Sequence, residues 1–433
     1  MRNKETGADT MRKRIVLIGA GSAMFGLGAL GDIFKCGALE GSAVVLHDIN
    51  ESALKRVESV VRGYIDQAGL PFEVLATTSR PDALKEADFC IISIEAGNRY
   101  ELWEQDWRLP LQLGIPQVYG ENGGPGGLFH SLRIIPPILD ICEDITHICP
   151  QALIINLSNP MTTIMQAILK KFPELQVVGL CHEISSLIEH LPKILGVRFS
   201  DLSIKAGGLN HFSVLAEATY KATGTDAYPN IRQKAMQYYE ALPERGLFRE
   251  FVRIYGCLPN TTDSHFGEYI QWAHEVADHQ GILDFYNKYV HECTKPVNEY
   301  RRLKVGTLAS EYWRVVPVIE GVVTNSGHEE LAVNIRNDGL ISCLPADVVV
   351  EVPAIVDESG IHGIPVSMPK GFAALLRNRV GVLELTADAA IEGSKELALQ
   401  ALLAEPVVNS LKNAEKLLDM MMKYQEDFLG YLK

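Results

Sequence analysis

Short apolar runs recur along the first part of the chain, at Ile15 to Ile18, Ala43 to Leu46, Phe72 to Leu75, Phe89 to Ile94, Ala152 to Leu157 and Val177 to Leu180. They are too short for helices and suit strands buried on both faces. The segments between them, 133–146 and 162–171 among them, space their apolar residues along one face of a helix. Strand and helix alternating in this way predict a doubly wound parallel sheet with right-handed crossovers, a Rossmann-like α/β domain over residues 11–185. Beyond it the pattern changes. Residues 202–216 read as strands about a Gly207-Gly208 turn, and 227–299 carry aromatic and charged residues at helical spacing. Residues 348–352 read as a further strand, and 387–403 and 408–429 as helices that close the chain. The expectation is a second, mixed α+β domain over 186–433 that serves substrate, metal and oligomerisation.

A chain of 433 residues has room for two such cores. Its formal charge of −14 and the lack of any run rich in Lys and Arg argue against a nucleic acid partner, because counterion release needs clustered positive charge. No stretch reaches the roughly 18 uncharged apolar residues of a membrane span. Cys36, Cys90, Cys142, Cys149, Cys181, Cys257, Cys293 and Cys343 are scattered without a Cys-x-x-Cys pair, so reduced thiols in a cytoplasmic protein fit best. The opening MRNKETGADT is polar and reads as a loose leader rather than a signal peptide.

The first strand runs into Gly19-Ala20-Gly21-Ser22-Ala23-Met24-Phe25-Gly26, which opens a helix. Small residues there let the backbone approach a pyrophosphate, and free amides at a helix start donate to it. The third glycine is displaced to Gly26, with Met24 at its usual place. Asp48 ends the second strand, where a carboxylate accepts hydrogen bonds from a ribose 2′-hydroxyl and repels a 2′-phosphate. Gly19, Gly21, Ser22, Gly26 and Asp48 therefore point to NAD rather than NADP. The plain alternative is a tight strand-to-helix turn beside a surface aspartate.

Cys181-His182-Glu183 ends another strand, and Gly208-Leu209-Asn210-His211 follows it. A thiolate and an imidazole suit a borderline divalent cation, and two protein ligands, Cys181 and His211, leave positions open for substrate oxygens. Either residue alone reads more plainly as core. Asn159, in Ser158-Asn159-Pro160, lies at the carboxyl edge of the sheet, where doubly wound folds bind ligands. The loop Tyr119 to Gly127 is rich in glycine and precedes a helix carrying Arg133, so it either wraps a ligand or turns at the surface. His274 and His279 are five apart, which the His-x-x-x-His spacing of a zinc protease excludes.

These motifs, with Gly123-Gly124-Pro125-Gly126-Gly127 and the later run Val333-Asn334-Ile335-Arg336-Asn337-Asp338-Gly339, resemble glycoside hydrolase family 4 from residue 12 onward. The resemblance implies the fold of the lactate and malate dehydrogenases, a need for NAD and Mn²⁺ or another divalent metal, and chemistry outside two-carboxylate glycoside hydrolysis. It implies oxidation of the sugar at C3, proton removal at C2, elimination of the aglycone, addition of water and return of the hydride. A cation on Cys181 and His211 would bind O2 and O3. The base at C2 is expected to be Asp263, with Tyr269 second; the plain alternative is that Asp263 caps the helix that carries Glu268. His265 is expected either at the metal or substrate or as an ordinary helix-face histidine, and His182 as the proton donor to the aglycone. His182 also resembles the members that act on unphosphorylated α-glycosides, while Glu183 departs from their Ser or Gly and is placed among the substrate contacts. A dimer or tetramer is implied. The rival readings are a 2-hydroxy-acid dehydrogenase, which needs no thiolate-bound metal, and a non-catalytic NAD sensor, which needs neither Cys181 nor His211.

Overall fold

The computed structural model describes residues 12–21, 25–293 and 315–433. Its twelve strands among those residues are β1 Arg14–Ile18, β2 Ala43–His47, β3 Glu73–Thr77, β4 Phe89–Ile92, β5 Leu153–Asn156, β6 Val177–Gly179, β7 Leu202–Leu209, β8 Phe212–Tyr220, β9 Leu258–Pro259, β10 His328–Arg336, β11 Val349–Asp357 and β12 Gly360–Gly363. All share one sheet, in the order β3-β2-β1-β4-β5-β6-β10-β11-β7-β8-β9, with β12 beside β11.

Strands β1 to β6 are parallel throughout, as their alternation with helices predicts. The inner strands are apolar on both faces because helices cover both, while the edge strand β3 buries only Val74. On one face Ile15, Leu17, Val44 and Leu46 pack with the helices Phe25–Lys35, Glu51–Ala68 and Val315–Thr324. On the other, Val16, Ile18 and Ile92 pack with the helix Gly124–Ile148 and with the last helices of the chain, which return to this half through Ala387, Leu402, Leu417 and Leu418. The doubly wound half is thus completed by residues remote in sequence.

Beyond β6 the pairing turns antiparallel, and one row of residues runs across the change. Asn156 pairs with Gly179, Gly179 with Asn334, Asn334 with Glu351, Glu351 with Gly208, and Gly208 with Ser213. Directly paired residues point to the same face. Two glycines in this row leave space for the side chains of Asn334 and Glu351 between them: a Cβ on Gly179 would sit 3.0 Å from Asn334 Cβ. A separate aromatic core, with Phe212, Phe248, Phe251, Phe266 and Phe372 in mutual ring contact, lies under the antiparallel part.

Several boundaries differ from expectation. Gly207 and Gly208 lie inside β7, and the hairpin turns instead at Asn210-His211, where His211 adopts φ 61°. The helix expected over 387–403 is two, Lys370–Glu392 and Lys395–Ala404. They are parted by Gly393 at φ 66° and by Ser394, whose hydroxyl accepts the Leu397 amide at 3.1 Å. The helix expected over 408–429 breaks at Gln425. The glycine-rich segment is no surface loop, for Tyr119 to Arg133 are buried and the helix begins at Gly124. Residues 294–299 of the aromatic stretch lie outside the described residues.

Candidate active site at the carboxyl edge of the sheet

Strands β1, β4, β5 and β6 deliver their following residues to one edge. Gly19, at φ 90°, packs so closely on the segment after β4 that a Cβ would stand 2.0 Å from the Ser93 carbonyl oxygen. The Gly21 amide donates to Asp48 Oδ2 at 2.7 Å, and the Asn50 amide to Oδ1 at 2.8 Å. The carboxylate is half-buried and keeps further lone pairs for a ligand hydroxyl. Gly26 lies in the first helix, and Ser22 lies outside the described residues. The close backbone approach at Gly19 and the placement of Asp48 fit a dinucleotide.

The segment after β5 is tied to the one after β4: Ser158 Oγ accepts the Ile94 amide and donates to the Ile94 carbonyl, both at 2.9 Å. This holds Asn159 at the edge with its Oδ1 buried and without a partner. A buried amide oxygen left unpaired by the protein suits a ligand donor.

One strand further on, Cys181 Sγ lies 3.3 Å from Nε2 of His211, so the turn that displaces the expected Gly-Gly corner brings the two residues together. Glu183 joins them: one donor atom from each of Cys181, Glu183 and His211 lies within 4.8 Å of the others. Sulfur, imidazole nitrogen and carboxylate oxygen at this spacing fit a divalent cation. Burial raises the Cys181 thiol well above its ordinary pKa, and the Glu183 and Glu351 carboxylates raise it further against donation from Asn210 and the Glu183 amide. Thiolate formation therefore needs a cation's charge.

The electrostatics divide two stacked histidines. His211 and His265 lie with ring centroids 4.5 Å apart and planes at 16°. Burial lowers His211 to about 3, and the charge on His265 lowers it too, which leaves a neutral ring able to ligate. Burial also works against charge on His265, but Glu268, Glu121 and Glu183 outweigh it and raise its pKa to about 9. Its Nδ1 lies 3.6 Å from Glu268 and 3.7 Å from Glu121. Burial likewise opposes ionisation of Glu183, yet His265, His211, His182 and the Thr261 hydroxyl bring it down to about 2. Thr261 Oγ1 donates to Glu183 Oε2, and His182, with 42% of its side chain exposed, sits 3.8 Å from Oε1.

Asp263 is not at this cluster. Its carboxylate accepts the Leu247 amide at 2.7 Å and the Phe248 amide at 3.3 Å, the start of the helix Gly246–Tyr255. Asp263 therefore serves as a cap, for a different helix from the one anticipated, and burial lifts its pKa to about 7. Tyr269 lines a small cavity with Asn122, Pro160, Thr162 and Asn210. Arg133 is also structural, paired with Asp106 at 2.9 and 2.5 Å and with Gln425.

Sequence reasoning missed three supports. Glu351 accepts Asn210 Nδ2 at 2.9 Å, Ser213 Oγ at 2.7 Å and Asn334 Nδ2 at 3.4 Å, and so holds the turn that carries His211. Glu268 accepts the backbone amides of Glu121 and Asn122 and thereby clamps the glycine-rich segment over His265. Thr261 orients Glu183. The signal for Glu351 was present, since it is the lone charge in Val348-Val349-Val350-Glu351-Val352.

A doubly wound sheet with a glycine-lined dinucleotide turn and a thiol, imidazole and carboxylate at the same edge defines a Rossmann-type enzyme with metal-binding donors. The chain belongs to the family 4 glycosyl hydrolases: that family's description matches residues 14–197, and its C-terminal domain matches residues 206–408. It is a glycosidase. It is 49% identical to an alpha-glucosidase of Erwinia rhapontici, over 98% of this chain and 100% of that one. It is 28% identical to an alpha-galactosidase of Bacillus subtilis strain 168, over 97% of this chain and 100% of the other. Among solved structures, a 6-phospho-alpha-glucosidase from gut microorganisms, in complex with NAD and Mn²⁺, superposes with a TM-score of 0.81 at 22% identity, covering 98% of this chain and 100% of that one. No described helix is long and apolar enough to cross a membrane.

Proposed function

We propose that the protein hydrolyses unphosphorylated α-glucosides, using NAD and a divalent cation such as Mn²⁺. The observation that carries the reading is the 3.3 Å approach of Cys181 to His211 at the sheet edge that also presents Gly19 and Asp48. The 49% identity to an alpha-glucosidase and His182 after the metal cysteine support the sugar class.

Gly19, Gly21 and Gly26 would admit the pyrophosphate, and Asp48 would accept the ribose hydroxyls. Ile49, 92% exposed beside Asp48, offers an apolar surface to the adenine. Cys181 and His211 would hold the cation. When bound, the nicotinamide would accept and return a hydride at C3 of the sugar, and the cation would polarise O2 and O3. Asn159 Oδ1 would accept a sugar hydroxyl. His265, cationic and stacked on His211, would offset negative charge arising on the sugar oxygens. Tyr269, in the cavity wall, would take the proton from C2. Burial and Glu268 hold its phenol well above the ordinary tyrosine value, and Arg379, 4.9 Å from the ring centroid, opposes this only in part, so the proton transfer would draw on the positive charge of the bound cation as well. His182, on the open side, would pass a proton to the departing aglycone.

The test is a panel of aryl α- and β-glucosides, α-galactosides and α-galacturonides with NAD⁺ and Mn²⁺ in reducing buffer. Cleavage of the α-glucoside without accumulation of NADH, and with deuterium at C2 of glucose released in D₂O, is the expected result. Product without deuterium at C2 rules out elimination, and NADH in proportion to product rules out a hydrolase cycle.

A further inference from the structure

We infer that Glu183 is a third protein ligand of the divalent cation, so that this chain offers a carboxylate oxygen in addition to Cys181 Sγ and His211 Nε2. The inference rests on the metal reading above and deepens it. Cys181 and Glu183 are two residues apart in the turn that leads from β6 into the helix Ser185–Leu195, and a donor atom of each lies within 4.8 Å of the other and of His211. The turn is fixed by its backbone, with the Ser185 amide on the His182 carbonyl at 2.9 Å and the Ser186 amide on that of Glu183 at 3.0 Å. The carboxylate is fixed as well. Thr261 Oγ1 donates to Oε2, while Oε1 stands 3.8 Å from His182 Nε2, beyond hydrogen-bond reach.

Charge and softness point the same way. Glu183 is only 8% exposed, and a buried carboxylate beside a thiol gains from a cation placed between them. A thiolate and a carboxylate together neutralise a dication, whereas Cys181 and a neutral His211 leave one charge over. A sulfur–nitrogen pair alone favours softer metals such as zinc, and an added carboxylate oxygen shifts the set toward Mn²⁺.

The experiment measures Mn²⁺ binding by electron paramagnetic resonance of the free ion, on the whole chain in reducing buffer without NAD or sugar. Wild type, Glu183→Gln, Glu183→Asp and Cys181→Ser are compared, with NAD affinity and metal-free melting temperature as controls on folding. Glu183→Gln is expected to weaken Mn²⁺ binding by about 10-fold or more and to lower the preference for Mn²⁺ over Zn²⁺. Glu183→Asp, which keeps the charge and shortens the reach, is expected to lose as much. Wild-type affinity in Glu183→Asp would show that the charge acts through space and would overturn ligation. If Glu183→Gln binds Mn²⁺ like wild type while Cys181→Ser does not, the third ligand is wrong and the two-ligand site stands. If Cys181→Ser also binds like wild type, the metal reading itself fails.

Discussion

Replacing Glu351 separates the hydrogen-bonding role of the paired row from its charge. The carboxylate takes Asn210 and Asn334 on Oε2 and Ser213 on Oε1, all buried. In Glu351→Gln the amide oxygen keeps both asparagines, and the new NH₂ turns to Ser213, whose hydroxyl accepts as readily as it donates. Only the ionic share of these bonds is lost, about 1 kcal/mol. Glu351→Leu leaves no acceptor. Asn334 retains the Gly179 carbonyl at 3.4 Å, but the Asn210 amide and the Ser213 hydroxyl lose their partner in the interior. Two such groups at about 1–3 kcal/mol each come to about 4 kcal/mol. Per-residue unfolding entropies make this about 1–2 °C of melting temperature per kcal/mol for a chain of this size. Calorimetry should therefore find Glu351→Gln within about 2 °C of wild type and Glu351→Leu about 4–8 °C lower. Mn²⁺ affinity should follow, because Asn210 fixes the turn that presents His211: about 10-fold weaker in the Leu variant and within a few-fold of wild type in the Gln variant. Equal melting temperatures for the two variants would refute the assignment of the load to hydrogen bonds.

Three further outcomes follow from the geometry. Asp263→Asn keeps an acceptor for the Leu247 amide and should cost about 1 kcal/mol of stability with turnover within a few-fold of wild type; a loss of about 10²-fold or more in turnover would restore Asp263 as the base. Gly19→Ala forces a Cβ against the Ser93 carbonyl at φ 90°, and should abolish NAD binding by calorimetric titration while Mn²⁺ binding at the distant β6 end survives. His190 is lowered to about 4, first by burial and then by Arg245, whose guanidinium donates to Nε2 at 3.2 Å. The unfolded chain takes up this proton at about pH 6.5, before the folded one does, so the neutral ring's contribution is whole above that pH and is lost as pH falls toward 4. Urea midpoints at pH 7 and 5 should fall less in His190→Gln than in wild type, and parallel declines would contradict this.

The parallel half was legible because its inner strands are buried on both faces and so read as unbroken apolar runs, each followed by a helical period. What failed there was at the ends: the helix over the glycine-rich segment begins at Gly124 because Glu268, far along the chain, satisfies the amides of Glu121 and Asn122. In the second half local signals misled. Gly207-Gly208 has turn composition, but both residues lie within β7, and Gly208 is needed there without a side chain. At Gly208 the backbone of the partner strand stands 2.4 Å from where a Cβ would be, and its other neighbour in the row is Glu351. The chain turns instead at Asn210-His211, where His211 accepts a positive φ.

The same logic explains which site residues the sequence exposed. Cys181, Asn159, Gly19 and Asp48 follow parallel strands, so fold rules alone bring them to one edge, whereas His211 reaches them only through the antiparallel hairpin of β7 and β8. Asp263 misled because its neighbourhood, not its position, suggested chemistry: it lies two residues before His265, which is in the cluster, yet its carboxylate points to the helix Gly246–Tyr255. Along a short helix such neighbours diverge by about 200°, so proximity in sequence carries little information on shared direction. Across a sheet the reverse holds. Asn334 and Glu351, far beyond Cys181 in the chain, share a face with Gly179 and Gly208 because direct pairing obliges it. The supports of the metal-binding turn are fixed by register, which hydrophobic pattern does not specify between strands so distant in the chain.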